Sequence, residues 1–77
     1  MPMPDDEWAD RARNFLKKQL VEKRVTYQEL ASRLNRYGFH ETEASITNKL
    51  KRGNFTAKFL LASLEAIGAR NVRLGDI

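Results

Sequence analysis

Between Thr26 and Gly53 the chain reads TYQELASRLNRYGFHETEASITNKLKRG. No other stretch limits the fold as strongly. Thr26 has the character of a helix N-cap, and Glu29 follows three residues on, the spacing of a capping box. Leu30, Ala31 and Leu34 recur at helical spacing, and Tyr27 and Tyr37 extend that face. Gly38 stands where a left-handed residue closes a helix. A second helix is expected over 42–52, with Ile46 and Leu50 one turn apart. Gly53 would end it, after Lys49, Lys51 and Arg52, cations suited to the negative end of a helix dipole. A capped helix, a turn and a second short helix form the pattern of a helix-turn-helix. Ala31 on the inner face lets the two helices cross closely. Such a pair buries little surface alone and needs flanking helices.

The chain supplies them within one small domain. Its 77 residues suffice for a single marginal core, expected over 5–77, with the MPMP of 1–4 as a disordered tail. A content of 42% hydrophobic and 31% charged residues fits a globular chain rather than a disordered one. There is no cysteine, so disulfides and thiolate metal sites are excluded and a reducing compartment fits. No apolar run approaches the roughly 20 residues a membrane span requires. The acidic start MPMPDDEW lacks the apolar core of a signal peptide, and cytoplasmic residence is the expectation. The net charge of +4 is spread evenly along the chain. It allows nucleic-acid binding without requiring it.

Before the central pair, Asp5 is expected to cap a first helix that runs to about Lys23. Trp8, Ala12, Phe15, Leu16 and Leu20 form its apolar stripe, with Trp8 as a core anchor. Arg11, Arg13, Asn14, Lys17 and Lys18 lie off the stripe, as a solvated face or as a patch facing phosphate. Val25 precedes the Thr26 cap as a hydrophobic staple. The connection from Asn35 to Glu41 is long for this motif, with Phe39 plugging the core beneath it. His40 is the lone histidine and reads as a turn residue, because no second histidine or cysteine exists to share a metal. Thr56 caps a last helix that reaches Ile67 and ends at Gly68. Ala57, Leu60, Leu61, Leu64 and Ile67 make one face of it, widened by Phe59, Ala62 and Ala66. Residues 69–77 read as a short strand or an extended arm.

Nothing in this inventory is catalytic. The carboxylates cluster at helix starts, where capping explains them, and no glycine-rich phosphate loop occurs. Neither an enzyme nor a cofactor is expected. The helix-turn-helix is the one constellation with a mechanism: its second helix enters the major groove of double-stranded DNA and presents outward residues to base edges. With Ile46 and Leu50 turned inward, Ser45, Thr47, Asn48 and Lys51 point outward. Asparagine pairs bidentately with adenine and threonine meets several bases. Lys49, Arg52, Asn54 and Lys58 are candidates for phosphate, as are Tyr27, Gln28 and the N–H groups at the Thr26 helix start. Glu41 and Glu43 oppose this reading at the entering end of the helix, unless Glu43 accepts from a cytosine amino group.

From about Phe15 to Leu74 the chain resembles the lambda-repressor-like (Cro/C1, XRE-type) helix-turn-helix domains. VTYQELASRL (Val25–Leu34), ASITNKLKRG (Ala44–Gly53) and FLLASLEAIG (Phe59–Gly68) carry the resemblance. It also looks like a family of small bacterial proteins known only as a domain of unknown function. That likeness rests on Trp8, Ala12-Arg13, Leu16, Thr26-Tyr27, Glu29 to Ala31, Glu41 to Ile46, Lys49-Leu50, Arg52-Gly53, Phe55 and Ala66 to Gly68. The repressor resemblance implies DNA binding. Three departures go with it: Tyr27 replaces the glutamine that opens the first helix of the motif, the turn is longer, and the fifth helix that often builds the repressor dimer is missing. A homodimer on a palindrome would then use another surface, the Val72–Ile77 arm or the Phe59 side of the last helix. The combined expectation is an all-α, four-helix, lambda-repressor-like domain with a short extended C-terminal arm. It would bind DNA as a bacterial transcriptional regulator. The alternative is a protein–protein interaction module on the same fold.

Overall fold

The computed structural model describes residues 4–77. Four helices follow in order: α1 (Pro4–Lys23), α2 (Tyr27–Asn35), α3 (Glu43–Arg52) and α4 (Ala57–Ala66). A short 3-10 turn, Leu74–Asp76, comes last. No strand occurs among the described residues, so 69–73 is an arm rather than a strand. Of the expected 1–4 tail, residues 1–3 lie outside the described residues. Pro4 is already helical, so α1 begins before Asp5, the residue at which the sequence starts it. None of the described helices is long and apolar enough to cross a membrane.

Each later helix begins at a threonine. The hydroxyls of Thr26, Thr42 and Thr56 accept from the N–H three residues on, at Glu29, Ser45 and Phe59. Each satisfies a donor that the first turn leaves without an intrahelical partner. The reciprocal box is found at Thr42, where the Ser45 hydroxyl accepts from the Thr42 N–H at 2.9 Å. It does not close at Thr26: the Glu29 carboxylate turns forward to Arg33 instead, at 3.2 Å. An i,i+4 ion pair thus takes the side chain that the box would use.

The core draws on all four helices. Phe15, Leu16 and Leu20 come from α1, Leu30, Ala31 and Leu34 from α2, Ile46 and Leu50 from α3, and Phe59 and Leu64 from α4; Val25 and Ile67 complete it. Tyr27 and Phe39 pack against its edge, Phe39 as the plug expected under the α2–α3 connection. α2 packs on α3 and α4, and α1 lies against the same two helices.

Three apolar assignments are corrected. Trp8 is 59% exposed; its ring lies beneath the Arg11 guanidinium, 4.3 Å from the carbon to the ring centroid, a cation–π contact on the surface. Arg11 in turn donates to the main-chain oxygen of Ile77 from Nε (3.0 Å) and Nη2 (2.6 Å), which holds the end of the arm on α1. Tyr37 is exposed in the turn and does not continue the α2 face. In α4 the buried face is centred on Phe59, while Leu61 (67% exposed) and Ala57 point outward. The Phe59 side is therefore core and offers no dimer surface. Phe55 stacks obliquely on Phe59, with ring centroids 5.3 Å apart. Ser63 is fully buried in the same face, and its hydroxyl has no hydrogen-bond partner among the described residues.

Gly53 joins α3 to α4 at φ +70° and is buried. A β-carbon placed there would stand 2.5 Å from the Ala9 carbonyl oxygen. The α3–α4 elbow and the first turns of α1 are in direct main-chain contact at this point, which only glycine permits.

Candidate functional site

The inward anchors Ile46 and Leu50 divide the rest of α3 into an outward face and two flanks. Glu43, Ala44, Thr47, Asn48, Lys51 and Arg52 are exposed. Ala44 belongs with the expected residues although it was not among them; it sits nearly opposite Ile46 on the helix. Thr47 donates its hydroxyl proton to the Glu43 carbonyl at 2.9 Å, so toward solvent it presents a methyl group and lone pairs.

One flank is occupied internally. Glu41, 6% exposed, precedes the Thr42 cap. Its carboxylate accepts from the Ser45 hydroxyl at 2.6 Å and from the Lys49 ammonium. The Lys49 nitrogen also lies 4.9 Å from the centroid of the Phe59 ring. Asn35, the last residue of α2, grips the main chain of Glu41 on both sides. Its amide donates to the Glu41 carbonyl (3.2 Å) and accepts from the Glu41 N–H (2.8 Å). Ser45 and Lys49 are thus half-buried parts of a brace across the long connection. Glu41, which the sequence sets at the entering end of α3 as an opposing charge, is neutralised by Lys49 and withdrawn from that end. Glu43 remains exposed there.

The opposite flank opens on a groove of about 400 Å³ lined by Arg13, Asn14 and Lys17 of α1, Tyr27 of α2, and Thr47, Leu50 and Lys51 of α3. Three cations meet here from two helices, and among the described residues no carboxylate lines the walls. Arg13 is held by Asp10, at 2.9 Å, and donates to the Lys51 carbonyl at 3.4 Å, in the last turn of α3. Tyr27 is the first residue of α2, which brings the positive end of that helix dipole to the rim. Gln28 is exposed beside it, and Asn54 and Lys58 are exposed around the α3–α4 elbow.

Of the residues expected to form a site, Tyr27, Thr47 and Lys51 are brought together; Glu43, Asn48 and Arg52 continue the same exposed helix. Ser45 and Lys49 are directed away from it. The sequence allows the α1 residues either a solvated face or a patch facing phosphate; Arg13 and Lys17 are one helical turn apart with Asn14 between them, and all three line the groove.

A family model described as a domain of unknown function, DUF6471, matches residues 8–72. The chain belongs to this family. The match takes in α1 from Trp8 onward, α2, α3, α4 and the first residues of the arm, so the brace and the groove lie within the family's domain. No curated protein and no solved structure gives a match.

Proposed function

We propose that this domain binds double-stranded DNA through α2 and α3, used as a lambda-repressor-like helix-turn-helix, and acts in bacterial transcriptional control in the cytoplasm. The observation that carries the reading is the separation of charge across α3. Glu41 and Lys49 neutralise each other on one flank, while Thr47, Asn48, Lys51 and Arg52 stand exposed. In this reading Asn48 and Thr47 meet base edges, Ala44 allows close approach to a thymine methyl, and Lys51, Arg52 and Gln28 meet phosphates. Glu43 is the one carboxylate left on the entering turn, suited to a cytosine amino group.

Fluorescence anisotropy with a generic duplex at about 50 and 200 mM salt tests this. Micromolar binding at the lower salt that collapses at the higher is expected, because each phosphate contact releases counterions. Lys51→Ala and Arg52→Ala should each weaken binding and reduce the salt slope by about one with the melting temperature nearly unchanged. Absence of binding at the lower salt sinks the reading.

A protein–protein module remains the second reading, favoured by Leu61 on α4 and by Leu74, 84% exposed, in the arm. The same two residues are where a homodimer on a palindromic site would pair. A partner bound through apolar contacts would tolerate salt that removes DNA.

A further inference from the structure

The groove between α1, α2 and α3 is not explained by stability. Arg13, Lys17 and Lys51 share it, and like charges gathered at one place repel. Among the described residues no acidic side chain lines this concavity, and neither Lys17 nor Lys51 has an ion pair. Arg13 is fixed in position by Asp10 and the Lys51 carbonyl. The Tyr27 phenol and the Asn14 amide add neutral donors to the same walls. The positive end of α2 meets them at the rim. Apart from the apolar floor at Leu50 and Thr47, whose hydroxyl proton is given to the Glu43 carbonyl, the lining favours an anion, and a tetrahedral oxyanion with several acceptor atoms uses it best.

We infer that this groove is a seat for a phosphate group, with Lys17 of α1 and Lys51 of α3 as its charged jaws and Tyr27 as a hydroxyl donor. Under the reading above the phosphate belongs to the DNA backbone alongside α3, and α1 becomes a third element of the interface. The groove chemistry is the same for a small phosphoester, so the test separates the two sources.

Lys17→Ala is compared with Lys18→Ala, which makes the same change in net charge at an exposed position of α1 outside the groove, and with Lys17→Arg. On a generic duplex at about 50 mM salt, Lys17→Ala should weaken binding roughly threefold to tenfold and flatten the salt slope by about one. Lys18→Ala should change it less than about twofold, and Lys17→Arg should retain it. Circular dichroism melting of each variant confirms that the fold is kept. Equal losses for Lys17→Ala and Lys18→Ala would reduce the effect to overall charge and overturn the seat while leaving DNA binding intact. If the unmodified chain binds no duplex, the DNA reading falls, and the seat is then decided with inorganic pyrophosphate. Amide shifts at Tyr27, Thr47 and Lys51 that vanish in Lys17→Ala would establish a small-phosphoester site. No such shifts would overturn the inference.

Discussion

The joint between α2 and α3 and the joint between α3 and α4 both turn through a glycine in the left-handed region, Gly38 at φ +90° and Gly53 at φ +70°. They are held by different forces. Around Gly38 a β-carbon would meet nothing within 4 Å. The connection there is fixed by side chains: Asn35 on the Glu41 main chain, and Glu41 on Ser45 and Lys49. Around Gly53 there is no room, and the Ala9 main chain fills the space a side chain would need. The first joint is a polar brace with several separable parts. The second is a steric fit with one part. Whatever sets the angle of α3 against α2 can therefore be tuned, whereas the seating of the α3–α4 elbow on α1 is all or none.

The sharpest break of this contrast is Gly53→Ala. Left-handed backbone costs an alanine about 1–2 kcal/mol, and the clash falls on backbone that cannot swing aside. A loss on the order of 3 kcal/mol or more is expected, a large share of the stability of a domain this small. Urea unfolding followed by circular dichroism measures it; a loss of 1 kcal/mol or less would show that α1 yields and that the fit is looser than described. Next comes Asn35→Ala, which leaves the half-buried N–H and carbonyl of Glu41 to water. About 1–2 kcal/mol should go, with amide shifts concentrated in α3. Shifts spread evenly over the molecule would contradict a local brace. The smallest effect belongs to Gly38→Ala, about 1 kcal/mol from backbone conformation alone. If its cost equalled that of Gly53→Ala, the distinction between a conformational and a steric glycine would fail.

The sequence is most legible where the cause is local. The Thr26 and Thr56 caps, left-handed glycines beyond the helix ends and the inward Ile46–Leu50 pair are short-range patterns and appear as read, whereas the Thr26–Glu29 box does not close because Glu29 pairs with Arg33. Legibility drops where burial depends on a partner element. α4 is apolar nearly all round, with Phe59, Leu60, Leu61, Ala62 and Leu64 in close succession, so periodicity alone cannot choose Phe59 over Leu61 as the inward residue. Trp8 has the spacing of a core position, but the structure leaves it 59% exposed, while Ala9 beside it takes the contact with the Gly53 elbow. Its neighbour across the surface is Arg11, not an apolar wall. Glu41 pairs with Lys49 from outside the helix, so no i,i+4 rule points to it. The gathering of Arg13 and Lys17 with Lys51 is likewise tertiary: α1 and α3 are far apart in the chain and meet only because both pack on one core.

Trp8 is the sole tryptophan, and the folded chain leaves most of its indole in water under a single cation. Its emission is therefore a spectroscopic window on the surface where α1 receives the arm, through Arg11 and Ile77, rather than on the core. A ligand or partner that lifts the arm away would alter the quenching of this one fluorophore while the helix signal stayed constant. The same placement makes tryptophan fluorescence report the α1 surface before the core, because the residue is already 59% exposed while the helices are still packed.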